Sequence, residues 1–308
     1  MRGVFGWALP LAGTVLFYGL AGGVYKQAAI TFGQFCLLFV AVKVVVNLSA
    51  WALAGRRSLF EPESRQFVKF AMLGQLINGV AWMFYFLAFS MPDSSAAIVQ
   101  TVTAAYTAFA VVLALLFLRE RLAVWQGLGV ALVIAAGLIL GGSGQTGSTE
   151  FRLGWFGASL ITLFCWGVAV VLFKHAYNQP GADDYRLFVT NVIGMAVILG
   201  PYGLYDLSRT PPDWSPGSLG LGLVVVTLYA LGDLTLFAAI GRGPAAIVSP
   251  LSGLYPLPTI LYAFLVLKET ITVPQQWAML MCLVAIPLVA ISPAPTRTEA
   301  EAEAAAGP

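Results

Sequence analysis

Apolar residues recur along the chain in runs of the length, about 17–25 residues, that a helix needs to cross a hydrocarbon layer. Ten such runs are visible, near residues 7–25, 31–53, 70–90, 96–117, 123–141, 154–173, 185–205, 218–239, 245–266 and 275–292. Short connections separate them, so most of the mass falls in the spans. The first run is too long and too lightly flanked for a cleavable signal peptide. The pattern predicts an all-α membrane protein of ten transmembrane helices, with the lipid bilayer as its first partner.

Composition agrees with the pattern. Hydrophobic residues make up 59% and charged residues 10% of the 308, against roughly 45–50% and 25% in an average soluble domain. The net charge of +2 carries little information, but its placement does. With the N-terminus in the cytoplasm, eleven Lys and Arg fall on the inner side and four on the outer. The positive-inside rule therefore places both termini in the cytoplasm. No basic patch with interleaved aromatics points to nucleic acid. Cys36, Cys165 and Cys282 read as small apolar-run residues, and the single histidine, His175, has no ligand set near it in sequence. No cofactor or metal is implied. HExxH and Walker A motifs are absent, which argues against an enzyme.

The chain also repeats itself. "AAIVQTVTAAYTAFAVVLALLFLRERLAVWQ" at 96–126 aligns without gaps on "AAIVSPLSGLYPLPTILYAFLVLKETITVPQ" at 245–275, an offset of 149. The run 7–25 aligns on 155–173 with an offset of 148. Each half carries five spans, an odd number, so the second half must sit upside down in the membrane. Inverted repeats are a signature of secondary transporters with a site at the repeat interface. The expected units are a first repeat at 1–140, a linker at 141–152, a second repeat at 153–293 and a disordered cytoplasmic tail at 294–308.

The five-plus-five layout, and the helices ending in "LFLRERL" and "LVLKETI" before Gln and a Gly/Ala-rich helix, resemble the EamA-type transporters of the drug/metabolite transporter superfamily. The resemblance covers residues 7–292. It implies ten-helix carriers that move amino acids, related metabolites or toxic compounds, mostly outward across the bacterial inner membrane. One departure is that Arg119-Glu120-Arg121 has Lys268-Glu269-Thr270 as its counterpart.

Helical spacing groups the polar residues. Gln75, Asn78, Trp82, Tyr85 and Phe89 form one stripe along the third span, too polar and bulky for a lipid face. Thr14, Tyr18, Ala21 and Tyr25 share a face in the first span, and Thr162, Trp166, Ala169 and Phe173 share the matching face in its counterpart. Gln100, Thr103, Thr107 and Ala110 share a face in the fourth span, and Ser249, Ser252, Pro256 and Thr259 share the matching face in the ninth. Tyr106 and Tyr255, also counterparts, follow on the same segments. Thr, Ser and Ala on such faces also read as simple helix contacts. Pro250, Pro256 and Pro258 occur in the ninth span and none in the fourth, so the ninth is expected to bend. Gly19 and Gly23 suit close packing of the first span. Glu120 and Glu269, at short turns, read as caps of the following helices or partners of local basic residues.

Two charges fall deep within spans: Lys43, with Asn47 one turn on, and Asp233, with Tyr229 one turn before. A charge in that position pairs, or changes its protonation state. Three readings stay open: a structural Lys43–Asp233 ion pair, a substrate carboxylate held by Lys43, and a coupling proton carried by Asp233. The whole pattern reads as a secondary transporter exporting amino acids or related small metabolites or toxic compounds by alternating access about a midplane cavity. An intramembrane enzyme or a non-transporting receptor is the alternative. A monomer and a homodimer both remain open.

Overall fold

The computed structural model describes residues 2–28, 30–53, 61–91, 94–118, 124–142, 153–212, 214–242, 248 and 251–290. Its elements are α1 (Arg2–Tyr25), α2 (Phe32–Leu53), α3 (Arg65–Ser90), α4 (Ala96–Ala104), α5 (Tyr106–Leu118), α6 (Val124–Gly142), α7 (Leu153–Tyr177), α8 (Asp184–Arg209), α9 (Pro216–Arg242), α10 (Pro256–Tyr262) and α11 (Val273–Ala290). A π-helical turn, Ala263–Leu267, extends α10. Among the described residues, six helices are long and apolar enough to cross a membrane, and four shorter apolar helices lie at the remaining predicted spans. Residues 143–152 and 291–308, and with them most of the expected linker and the tail, lie outside the described residues, as do Glu120, Ser249 and Pro250.

Packing follows the repeat. α3 lies along α7 while α1 lies along α9, and the expected inversion exchanges these two contacts. α2 meets α8, and α6 meets α11, each helix pairing with its own counterpart. Gly19 and Gly23 of α1 face the α10 segment, where an added Cβ would come within 2.6 Å of Tyr255 O and of the Tyr262 ring. The hydroxyls of Thr14 and Thr235 meet at 3.0 Å, and Thr259 donates to Gly19 O at 2.7 Å. Small and hydroxyl residues thus join the helices, as is usual where lipid removes the hydrophobic drive to associate.

The fourth span differs from expectation. It breaks at Ala105, where the Ala105 N–H turns to Val102 O at 3.2 Å and the Ala108 N–H to Ala105 O at 3.1 Å. The ninth breaks at the matching place, with Leu254 N–H on Leu251 O at 3.1 Å and Leu257 N–H on Leu254 O at 3.0 Å. These are the same tightened turns, 149 residues apart. Proline is therefore not the cause of the break. Pro256 stands at the first position of α10, where its missing N–H has no partner to lose and its fixed φ favours helix.

Two polar contacts mark the ends of the bundle. At one, Arg186 at the start of α8 pairs with Glu61, ahead of α3, and donates to Gly181 O at 2.8 Å. At the other, Lys268 adopts the left-handed φ of 55° that terminates the π turn. The Glu269 N–H then closes on Ala263 O at 3.1 Å. This turn carries the Glu269 carboxylate to the N-terminus of α4, where it accepts from Ser95 Oγ at 2.6 Å and from the Ala96 N–H at 3.0 Å. Glu269 thus caps a helix of the other half, not the following one as the sequence suggested. An anion there satisfies free amide donors and meets the positive end of the helix dipole. Lys26 completes the cluster, donating to Ser94 Oγ at 2.6 Å. Burial lowers the Lys26 pKa, and Glu269 opposes that shift in part.

Candidate functional site

Asp233 sits on α9 with its carboxylate between two donors: Lys43 of α2 forms an ion pair with one oxygen, and the Tyr18 hydroxyl of α1 donates to the other. Lys43 is 3% exposed and Asp233 4%. The ammonium also donates to Asn191 Oδ1 of α8 at 2.6 Å and lies 4.7 Å from the centre of the Phe39 ring. Asn191 Nδ2 in turn donates to Gln75 Oε1 at 2.7 Å, and Asn78 Nδ2 donates to the same oxygen at 3.0 Å. Trp166 Nε1 of α7 donates to Asn78 Oδ1 at 2.9 Å. One polar chain thereby crosses six helices, in the order α1, α9, α2, α8, α3, α7. Such linkage is how an apolar interior tolerates ionised and amide groups, since each unmet one would carry a desolvation penalty.

Glycine makes one of these contacts possible. A Cβ at Gly232 would fall 2.3 Å from the Tyr18 ring, so only the bare backbone lets Tyr18 lie against α9 and reach the neighbouring Asp233.

Rings surround this chain. Trp82 lies 5.0 Å from Tyr229, 5.3 Å from Tyr85 and 5.4 Å from Trp166, all edge to face. Tyr18 meets Tyr255 at 5.9 Å, and Tyr106 meets Trp166 at 5.8 Å. These arrangements are favoured by ring quadrupoles, which set positive edges against negative faces. The Tyr85 and Tyr229 hydroxyls meet at 2.8 Å. At the breaks in the fourth and ninth spans, Thr103 Oγ1 meets the Tyr255 hydroxyl at 3.1 Å and Ser252 Oγ meets the Tyr106 hydroxyl at 3.1 Å.

The rings and the polar chain border a partly open cavity of about 60 Å³. Tyr18, Asn78, Trp82, Tyr85, Tyr106, Trp166, Tyr229, Asp233 and Tyr255 line it. Ala169, Val170, Phe173, Leu236, Phe237 and Ile240 continue its wall along the last turns of α7 and α9, toward the end marked by Arg186. Toward the Glu269 end, Tyr25, Phe35, Phe86 and Phe89 pack together, all buried.

The structure therefore brings the candidate substrate and coupling residues together around this cavity, but not on one surface. Lys43 and Gln75 stand behind the wall, in the polar chain. Gln100 donates to Tyr18 O at 3.2 Å, and Thr103 and Ser252 hold the two tyrosines, so these three support the wall rather than form it. Phe89 leaves the expected stripe for the packed aromatic cluster, because the last turn of α3 has passed the cavity. Asn191 was missed. It stands 148 residues after Lys43, the offset that relates α1 to α7, and that coincidence was its available signal. Phe173 lines the cavity from the helix face that it shares with Trp166, whereas the apolar wall residue Phe237 carried no polar signal at all. Among the described residues, no three His, Cys, Asp or Glu side chains come together as metal ligands.

An aromatic enclosure with a few hydroxyls, one amide and one carboxylate suits a small amphipathic molecule. Comparison with known proteins bears on the fold around it. Residues 153–291 match the EamA-like transporter family. An uncharacterized protein of Methanocaldococcus jannaschii is 36% identical over 74 residues, which is 24% of this chain. The chain spans about half, 54%, of that relative's length. A solved structure described only as the crystal structure of a protein superposes with a TM-score of 0.67 at 18% identity, over 94% of this chain and 99% of that one. The second half of this chain is therefore similar to the EamA-like transporter family, and the chain as a whole shares the multi-helix fold of that solved structure.

Proposed function

We propose that this chain is a secondary active transporter that exports amino acids or related small metabolites or toxic compounds across the bacterial inner membrane. It works by alternating access, each repeat rocking against the other about the central cavity. The observation that carries this reading is the composition of the cavity wall. Tyr18, Asn78, Trp82, Tyr85 and Tyr106 come from the first repeat, and Trp166, Tyr229, Asp233 and Tyr255 from the second. A site built from both halves opens to one side or the other when the halves move.

In this reading the repeats are 1–140 and 153–293, the linker 141–152 is external, and both termini are cytoplasmic. The cavity tyrosines and tryptophans with Asn78 contact substrate, and Asp233 carries the coupling charge. Gln75, Gln100, Thr103 and Ser252 fix the wall, and Lys43 sets the charge state of Asp233. Counterflow in proteoliposomes tests it: vesicles loaded with an amino-acid mixture should take up labelled members of that mixture, and Tyr229→Phe or Trp82→Phe should weaken uptake. Protein-free rates with every amino acid and amphipathic metabolite tried would overturn the reading.

A further inference from the structure

Lys43 and Asp233 are the charged side chains buried at mid-bundle among the described residues; Arg186, the third buried one, sits at the bundle end with Glu61. Only Asp233 of the mid-bundle pair reaches the cavity. Its carboxylate faces a space walled by Tyr18, Trp82, Tyr85 and Tyr229, whose π faces attract cations. The cation that holds Asp233 in this structure belongs to the protein itself. We infer that Lys43 is a tethered stand-in for the ammonium of an amine substrate with an apolar body, and that substrate and the Lys43 proton exchange one for one. It rests on the transporter reading above and names the substrate class and coupling group of that site.

Charge balance drives the exchange. A primary ammonium entering the cavity and pairing with Asp233 would leave Lys43 as a second buried cation without a counter-ion, a state that an apolar interior strongly disfavours. The imbalance disappears if one N–H bond of the Lys43 ammonium breaks. The electron pair stays on Nζ, and the proton leaves to solvent by way of the Asp233 carboxylate, which bonds Lys43 and reaches the cavity. The neutral amine keeps two N–H donors, enough to retain Asn191 Oδ1, now 2.6 Å away. The site then carries the same net charge before and after. Other groups facing the pair are Tyr18 on α1, bonded to Asp233, Tyr229 on α9 and, across the cavity, Tyr85 on α3; α8 contributes the neutral Asn191. Exchange of this kind makes proton entry and amine exit obligatory partners. When amine departs, Asp233 needs a cation, and Lys43 supplies one by taking a proton up.

Calorimetry of the purified full-length protein tests it without any variant. Phenethylamine, titrated in two buffers of different ionisation enthalpy, should bind with release of about one proton per amine. Its neutral isostere phenethyl alcohol should bind roughly 10-fold more weakly or worse, with no proton released. Lys43→Arg keeps the ion pair but cannot give up a proton. It should melt like the wild type and lose amine binding. Amine binding without proton release overturns the exchange. So does equal binding of the alcohol, absence of amine binding, or a Lys43→Arg protein that binds amine as the wild type does. Counterflow of phenylalanine in proteoliposomes, measured alongside, separates the two readings. If it persists without amine binding, the transporter stands and the exchange falls; if no metabolite flows, both fall.

Discussion

The hydroxyls of Thr103 and Tyr255 lie 3.1 Å apart across the interface of the two repeats, and the hydroxyls of their repeat counterparts, Ser252 and Tyr106, lie 3.1 Å apart beside them. The two contacts exchange places under the offset of 149. Each ties the residue before one helix break to the residue after the other. The broken segments of both halves are thus fastened to each other at the cavity wall. If the bonds are equivalent, Tyr106→Phe and Tyr255→Phe should each cost about 0.5–1.5 kcal/mol, the usual worth of one such bond. Thermal unfolding in detergent checks this; a large inequality between the two would show that the halves have lost their equivalence here.

Lys43 and Asp233 make a sharper test. Removing one partner leaves a buried charge without compensation, which costs roughly 3–5 kcal/mol for comparable pairs. Lys43→Met and Asp233→Leu should each melt well below the wild type, and the double variant should recover much of the loss. Purely additive losses would mean that the two residues are not energetically coupled.

Gly232→Ala should behave as an indirect lesion of the same pair. The new Cβ would fall 2.3 Å from the Tyr18 ring, and overpacking of this kind costs about 1–3 kcal/mol. Tyr18→Ala alone opens a void, but combined with Gly232→Ala it should lose less than the sum of the single changes. Melting temperatures of the three variants decide it, with additivity as the contrary result.

The cavity should be more sensitive than the lipid-facing surface of the same helix. Asn78→Leu removes the acceptor of Trp166 Nε1 and one donor to Gln75. It should abolish counterflow, whereas Leu73→Ala, at an exposed position of α3, should leave the rate within about twofold. Normal counterflow by Asn78→Leu would reduce the amide to a packing role.

Orientation is tested by labelling. A cysteine introduced at Ser148 should react with an impermeant thiol reagent in intact cells, and one at Thr298 should not. Equal reaction at both positions would contradict an inner N-terminus with an odd number of spans per repeat.

Much of this fold is legible in the sequence because the solvent enforces it. In hydrocarbon the backbone must satisfy its own hydrogen bonds, so run length alone marks the helices. Duplication then sets their pairing, since a 149-residue offset with five spans per half permits only an inverted arrangement. The cavity residues were legible because Asn78, Trp82 and Tyr85 share one helical face that lipid would reject. Contacts between distant helices were not legible. Spacing within α2 and within α9 places Lys43 and Asp233 at mid-membrane depth, but their meeting depends on the distance and rotation of two helices 190 residues apart in sequence. The same is true of Asn191, whose polarity becomes informative only once α8 is seen against α2 and α3. It also holds for Glu269, which the left-handed turn at Lys268 carries onto α4 of the other half. Periodicity fixes the face that a side chain occupies along its own helix. Which charge it meets across the bundle is fixed by packing, because the close approaches at glycines such as Gly232 set the final register between helices.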